Sequence, residues 1–343
     1  MGSHDPLRAA VLGLGMIGRH HARILQSDPS MRFAGAVDPE GDRFGAVHDR
    51  SGVFATLDEL LAAPEGPPDF AVVAVPTEEH VAAVRDLVAA GVHVLVEKPL
   101  AASAEEAREI IDLVRGAGLH GAVGHVERCN PALLELRRRV QEEDQLGEVF
   151  LVATERVGPF PDRIRDVGVV KDLATHDLDL VRWLGGAPVE RVAAQTQHRM
   201  GREHEDLVLV TGRLENARAF NAVVDWLSPT KVRRTRVLGE RGMLVADTLS
   251  ADLTFYANAH IPTEGWATAQ HSRGVAEGDM TRYALERREP LAVELAAFAS
   301  LVRGEDGAHV VSLEDGLEAV AVAEAVLASA ASGATVVLET AAG

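Results

Sequence analysis

Ala9-Ala10-Val11-Leu12-Gly13-Leu14-Gly15-Met16-Ile17-Gly18 is the stretch on which the fold turns. Four apolar residues run directly into three glycines spaced G-x-G-x-x-G. The apolar run reads as a buried strand. The glycines let the chain turn tightly off that strand, pass close to a pyrophosphate, and enter a helix whose free N-terminal amides face the phosphates. Gly13, Gly15 and Gly18, with the amides of Met16 and Ile17, are therefore candidate cofactor contacts. Glycine triplets also mark ordinary turns. Here a second strand-like run, Phe33-Ala34-Gly35-Ala36-Val37, follows, and Asp38 stands about 20 residues past the last glycine, where a carboxylate receives ribose hydroxyls.

Outward from that stretch, strand-like and helical runs alternate. Residues 10–14 and 32–38 read as strands around a helix at 19–27, and a short helix follows at 57–61. Residues 70–75 are apolar throughout, as expected of a strand covered on both faces. A helix over 79–90, a strand over 92–96 and a helix over 103–117 come next, with Ser103 and Glu106 spaced as a capping box. Residues 121–126 supply a last strand. This alternation predicts a right-handed, mostly parallel sheet.

From about residue 125 the pattern changes. Helices are expected over 130–141 and 175–184. Runs rich in Val, Leu and Thr at 147–157, 189–196, 206–215, 217–226, 232–239 and 243–247 are separated by Gly, Asn and Pro, as in an antiparallel sheet. Helices over 291–303 and 313–331 close the chain. The expectation is an α/β Rossmann domain over 1–124, then an α+β domain over 125–343 with a large, mostly antiparallel open sheet. The apolar late strands suggest a sheet face covered by a second copy, as a homodimer or homotetramer.

Composition narrows the classes of function. The 343 residues are 47% hydrophobic and 25% charged, the balance of a globular enzyme. A net charge of −18 argues against a protein that covers nucleic acid. Cys129 is the only cysteine, so no internal disulfide and no cysteine-rich metal site can form. No apolar run is long enough to span a membrane and no secretory signal is visible, which points to the cytoplasm.

The cofactor reading favours NAD. Asp38 would repel a 2′-phosphate, and Glu40 adds negative charge, although Arg43 lies near and Asp38 could merely cap a turn. Pro76 and His80, just past the 70–75 strand, are grouped with the cofactor residues, as are Glu97 and Lys98. Glu97-Lys98-Pro99 follows the fourth strand, where ligands of such sheets bind. An ammonium there can hold an alcohol oxygen and stabilise the charge that develops on it, and Pro99 restricts Lys98 to extended backbone. The plain alternative is a surface lysine.

Asp172 and His176 are four apart, one turn of a helix, with Asp179 after them. Histidine suits proton acceptance near neutral pH. A metal at this group lacks a third nitrogen or sulfur ligand, so no metal is expected. Helix-end polar capping is the structural alternative. Arg156, Arg163 and Arg165 could clamp a diphosphate, or lie solvated on the surface. His125 and Asn130 are candidate sugar contacts, although Asn130 could instead cap a helix beginning at Pro131.

Taken together, G-L-G-M-I-G-R-H-H, Glu97-Lys98-Pro99 and Asp172-x-x-x-His176 resemble, in order, the landmarks of the glucose-fructose oxidoreductase/inositol dehydrogenase/rhizopine-catabolism family. The resemblance covers nearly the whole chain. It implies that Lys98 and His176 form the catalytic pair, that Asp172 contacts substrate, and that the open sheet face is a subunit interface. Residues 124–131, 158–161 and 166–171 are similar to a subgroup acting on nucleotide-activated amino sugars, although Cys129 and Lys171 depart from its usual residues. The implied activity is NAD-dependent oxidation of a ring hydroxyl to a ketone, the 3-hydroxyl of UDP-N-acetylglucosamine first. Dehydrogenation of a free cyclitol, an unactivated aminosugar or another nucleotide sugar of a secondary-metabolite pathway is the alternative. An NAD-binding sensor without turnover is the non-enzymatic one.

Overall fold

The structure is a computed structural model that describes residues 5–161, 167–259, 277–305, 307 and 309–338. The chain forms two compact units, Met1–Cys129 with Arg288–Glu324, and Asn130–Arg287 with Ala325–Gly343.

The first unit runs β1 (Leu7–Leu12), α1 (Gly18–Ser27), β2 (Met31–Val37), β3 (Val53–Phe54), α2 (Leu57–Leu61), β4 (Phe70–Val73), α3 (His80–Ala89), β5 (His93–Glu97), α4 (Ala104–Gly116) and β6 (Gly121–Gly124). Its six strands are parallel in the order β3-β2-β1-β4-β5-β6, the doubly wound order of a dinucleotide fold. Alternate residues of β1 enter different cores. Ala10 and Leu12 pack with Val84 and Leu87 of α3 and Ile110 of α4, while Ala9 and Val11 pack with Leu25 of α1. Burial on both faces is why the strands are apolar without alternation.

Ser103 caps α4 by accepting the Glu106 amide. Glu106 does not close the expected box. Its carboxylate takes the Ala102 amide instead, one residue earlier.

The second unit begins with α5 (Pro131–Gln141) and β7 (Val149–Pro159), then α6 (Thr175–Gly185). β8 (Val189–Gln197), β9 (Leu207–Leu214), β10 (Ala219–Asp225), β11 (Leu227–Gly239), β12 (Gly242–Asp247), β13 (Asp252–Asn258) and β14 (Glu277–Tyr283) follow. The last elements of the chain are α7 (Pro290–Val302), α8 (Leu313–Ser332) and β15 (Val336–Val337). The nine strands lie in the order β14-β13-β12-β11-β7-β10-β9-β8-β15, and every neighbouring pair is antiparallel except β10 with β7. The sequence pattern marks neither β13 nor β14 as a strand.

The helices expected to close the second domain do not belong to it alone. Leu291, Leu295 and Phe298 of α7 are buried with Ala9, Val11 and Phe70, and Phe298 meets Phe70 edge-on at 5.4 Å. Leu313 and Val320 of α8 pack with Val94 and Ile110, and the rest of α8 past Glu324 goes with the second unit. An amphipathic pattern says that a helix packs, but not against which sheet. The break between units falls at Cys129/Asn130, five residues beyond the expected boundary at 124, and the first unit is discontinuous in sequence.

Candidate active site

The three glycines have three different jobs, each visible in the space around them. Gly13 has φ +89°, and a Cβ there would lie 2.5 Å from the Ala74 carbonyl oxygen. At Gly18 a Cβ would fall 1.9 Å from the Gly13 carbonyl oxygen, so this glycine lets α1 press against the turn. At Gly15 a Cβ would meet nothing within 4 Å, which leaves open space beside the backbone. Helix α1 starts with no side-chain cap and no acidic residue in its first turn, so its amide dipoles are not neutralised from within.

Asp38 ends β2 and is held from both sides. One oxygen accepts the Leu14 amide at 2.8 Å and the other the Glu40 amide at 2.9 Å. These bonds fix the carboxylate against the glycine turn and leave it lone pairs for ribose hydroxyls. Arg43, the residue that could have favoured a 2′-phosphate, is ion-paired with Glu40. These features fit NAD. Asp38, Gly13, Pro76 and Lys98 follow β2, β1, β4 and β5, neighbours in that order along one sheet edge. Three strand spacings make about 14 Å, a span suited to a dinucleotide lying across the strand ends.

The Glu97-Lys98-Pro99 segment begins at the last residue of β5, and the Lys98–Pro99 bond is cis. Lys98 is half-buried, while Glu97 is buried and hydrogen-bonded to His21 Nε2 at 2.7 Å. Gly124, the register partner of Glu97 on β6, leaves room for that carboxyl, since a Cβ there would lie 3.2 Å from it. His80 is buried, with Nδ1 3.1 Å from the Leu100 carbonyl and Nε2 3.1 Å from the Val75 carbonyl. Both ring nitrogens thus face backbone. The ring ties the chain after β4 to the chain after Pro99 and is not turned toward a cofactor. Pro76 and Met16 are exposed at the strand ends. His125 is buried just before the short turn Val126–Cys129.

In the second unit, Asp172 lies in a π-helical turn, Val170–Ala174, that opens into α6, and His176 is the second residue of α6. The expected regular helix is therefore wound more loosely where Asp172 sits. Both side chains are half-buried. Glu205 anchors the entry to this turn. Its carbonyl accepts the Val169 amide and its carboxylate the Val170 amide, each at 3.0 Å. Gly168 is required beside it, since a Cβ there would lie 2.0 Å from that carboxylate. Sequence reasoning missed Glu205. Its only signal was an acid in the polar stretch Glu203-His204-Glu205-Asp206 before a strand.

Two expected substrate contacts are occupied by structural bonds. Asn130 caps α5 by accepting the Ala132 amide, and its Nδ2 donates to the Thr248 carbonyl at 3.1 Å. Arg156 is buried and pairs with Asp177 of α6, Nε to Oδ2 at 2.6 Å. This buried pair locks β7 to α6 and turns the guanidinium away from the role of an exposed diphosphate clamp. Asp179 is likewise buried. Arg163 and Arg165 lie outside the described residues.

No helix among the described residues is long and apolar enough to cross a membrane.

Comparison with known proteins agrees with this geometry. Residues 7–125 match the model of an oxidoreductase family with an NAD-binding Rossmann fold, and residues 140–338 match that family's C-terminal alpha/beta domain. The UDP-N-acetylglucosamine 3-dehydrogenase of Acidithiobacillus ferrooxidans is 30% identical over 303 residues, 86% of this chain and 88% of the relative. Its solved structure superposes with a TM-score of 0.80 at 25% identity, covering 95% of this chain and 98% of that one. Inositol 2-dehydrogenase 2 of Saccharopolyspora erythraea is 29% identical over 346 residues, 97% and 96% of the two chains. GenD2 from gentamicin A biosynthesis, solved in complex with NAD, superposes with a TM-score of 0.77 at 25% identity, covering 99% of each chain. The chain belongs to the glucose-fructose oxidoreductase/inositol dehydrogenase/rhizopine-catabolism family of NAD-dependent sugar and cyclitol dehydrogenases.

Proposed function

We propose that this enzyme oxidises the 3-hydroxyl of UDP-N-acetylglucosamine to a ketone. The observation that carries the reading is its 30% identity, over 86% of its length, to an enzyme of that activity. NAD, when bound, supplies the hydride acceptor. Gly13, Gly15, Gly18 and the Met16 and Ile17 amides hold its pyrophosphate, and Asp38 holds the adenosine ribose. His176 accepts the hydroxyl proton. Lys98 holds the same oxygen and offsets the negative charge that grows as the proton leaves. Asp172 orients the ring by accepting hydrogen bonds from its hydroxyls. Arg163 and Arg165 are the proposed diphosphate contacts. Arg156 and Asn130 act through the frame of the second unit rather than on the substrate.

A second copy is proposed to cover the open face of the nine-stranded sheet, giving a homodimer or homotetramer. Val152, Val237, Leu244 and Leu253 are buried on one face. On the other, Leu151, Leu238, Met243, Tyr256 and Met280 form a row across five strands in register. Leu238, Tyr256 and Met280 of that row are 37%, 41% and 65% exposed, more apolar surface than a lone sheet leaves to water without purpose.

The relation to an inositol 2-dehydrogenase over 97% of the chain supports a second reading, oxidation of a free cyclitol. NADH absorbance separates the two. Turnover on UDP-N-acetylglucosamine is the expected result, turnover only on inositols transfers the proposal to the second reading, and no reduction with either set overturns both.

A further inference from the structure

Beside the Lys98 backbone lies a buried group of three titratable side chains that the proposed reaction does not touch. His21 of α1, Glu97 at the end of β5 and Glu294 of α7 place their nitrogen and oxygen atoms within 4.8 Å of one another. Two of the three are already tied. His21 Nε2 is 2.7 Å from Glu97 Oε1, and Glu97 Oε2 accepts the Lys98 amide at 3.1 Å. Glu294 is 5% exposed, and neither of its carboxyl oxygens has a hydrogen-bond partner among the described residues. An ionised carboxylate there would sit unsolvated beside a second carboxylate, the arrangement that buried acids avoid by keeping a proton.

We infer that Glu294 is a neutral carboxylic acid whose proton bridges to Glu97, and that this acid–carboxylate pair, with His21 on its other oxygen, is a positioning device for Lys98. An oxygen of each carboxyl lies within 4.8 Å of the other, a separation that one bridging water spans. Burial, and then the charge of Glu97, push the Glu294 carboxyl well above the usual carboxylate range. Burial would raise Glu97 as well, but the His21 hydrogen bond, the neighbouring charges and the Lys98 amide outweigh it and hold Glu97 below that range. The charged and titratable groups facing the pair are His21 from α1, Lys98 after β5 and Cys129 from the Val126–Cys129 turn; Arg128 lies beside Cys129 and is itself paired with Asp315 at 2.8 Å.

The protonation of Glu294 stands apart from any substrate, whereas its service to Lys98 rests on the proposed role of that lysine. Infrared spectra of the whole protein between pH 6 and 9 read the first directly. The wild type should carry a protonated carboxylic acid C=O band at neutral pH that Glu294→Gln removes. Thermal unfolding gives an independent sign. A carboxyl whose folded-state affinity for a proton is raised stabilises below the ordinary carboxylate range and loses that contribution as pH climbs above it. The melting temperature of E294Q relative to wild type should therefore rise with pH across that window. In turnover, E294Q should stay within about threefold of wild type, because an amide keeps a donor toward Glu97. E294L should lose about tenfold in kcat with little change in KM, as expected when a catalytic group is misplaced. If E294Q does not fold, the pH titration of the acid band in the wild type decides. Absence of that band overturns the inference, as does a metal bound one per chain that a chelator removes. Unchanged turnover in E294L overturns the positioning role.

Discussion

The turn after β1 and the turn before α6 are both glycine-assisted entries to a helix, yet they are built for different chemistry. The first offers backbone. Gly13 bends the chain, Gly15 leaves open space, and α1 begins uncapped. The second offers side chains. Glu205 takes the amides of Val169 and Val170, so its helix start is already filled, and the looser π-helical winding presents Asp172 and His176. A helix entry left open can take an anion, and one closed by a carboxylate cannot. The lesson is that the presence of glycine before a helix says little until the partner of the helix amides is known.

That contrast predicts which substitutions damage chemistry and which damage cofactor binding. Lys98→Met should cost the most, about 10³-fold in kcat, with NAD affinity by fluorescence titration nearly unchanged. Loss of NAD binding in that variant would place Lys98 with the cofactor instead. His176→Asn should lower kcat about 10²-fold and flatten the acid limb of the pH–rate profile. An unaltered profile would remove it as the proton acceptor. Gly13→Ala should weaken NAD about tenfold or more and destabilise by about 1–3 kcal/mol, because its left-handed backbone and the nearby Ala74 carbonyl oppose a side chain. Chemical denaturation alongside NAD titration checks both halves. The smallest effect is expected at Cys129. Burial pushes its thiol up to about 12, so iodoacetamide should leave native enzyme fully active at neutral pH. Rapid inactivation would mean that the Val126–Cys129 turn opens in solution.

The first unit was the more legible because its sheet is parallel and covered on both faces. Strand runs such as Phe70–Val73 are then continuously apolar and hard to misread. The signal faded where one face of the sheet is open. β13 mixes Asp252, Thr254, Tyr256 and Asn258 with its apolar residues and escaped notice. Residue type suggested a clamp at Arg156 and a ligand contact at Asn130, but type alone does not reveal a buried aspartate on a later helix or an amide waiting two residues on. The group of His21, Glu97 and Glu294 was invisible for a similar reason. Its members come from three distant segments, and α7 gave no sign of which sheet it would join.

The most direct measurement uses UDP-N-acetylglucosamine carrying deuterium at C3. Incubated with the enzyme and NAD, it should yield reduced cofactor with one deuterium per molecule, together with a slower rate than the unlabelled sugar. Reduced cofactor free of deuterium would place the oxidation at another carbon, and no reduction at all would contradict the assignment of this sugar as substrate.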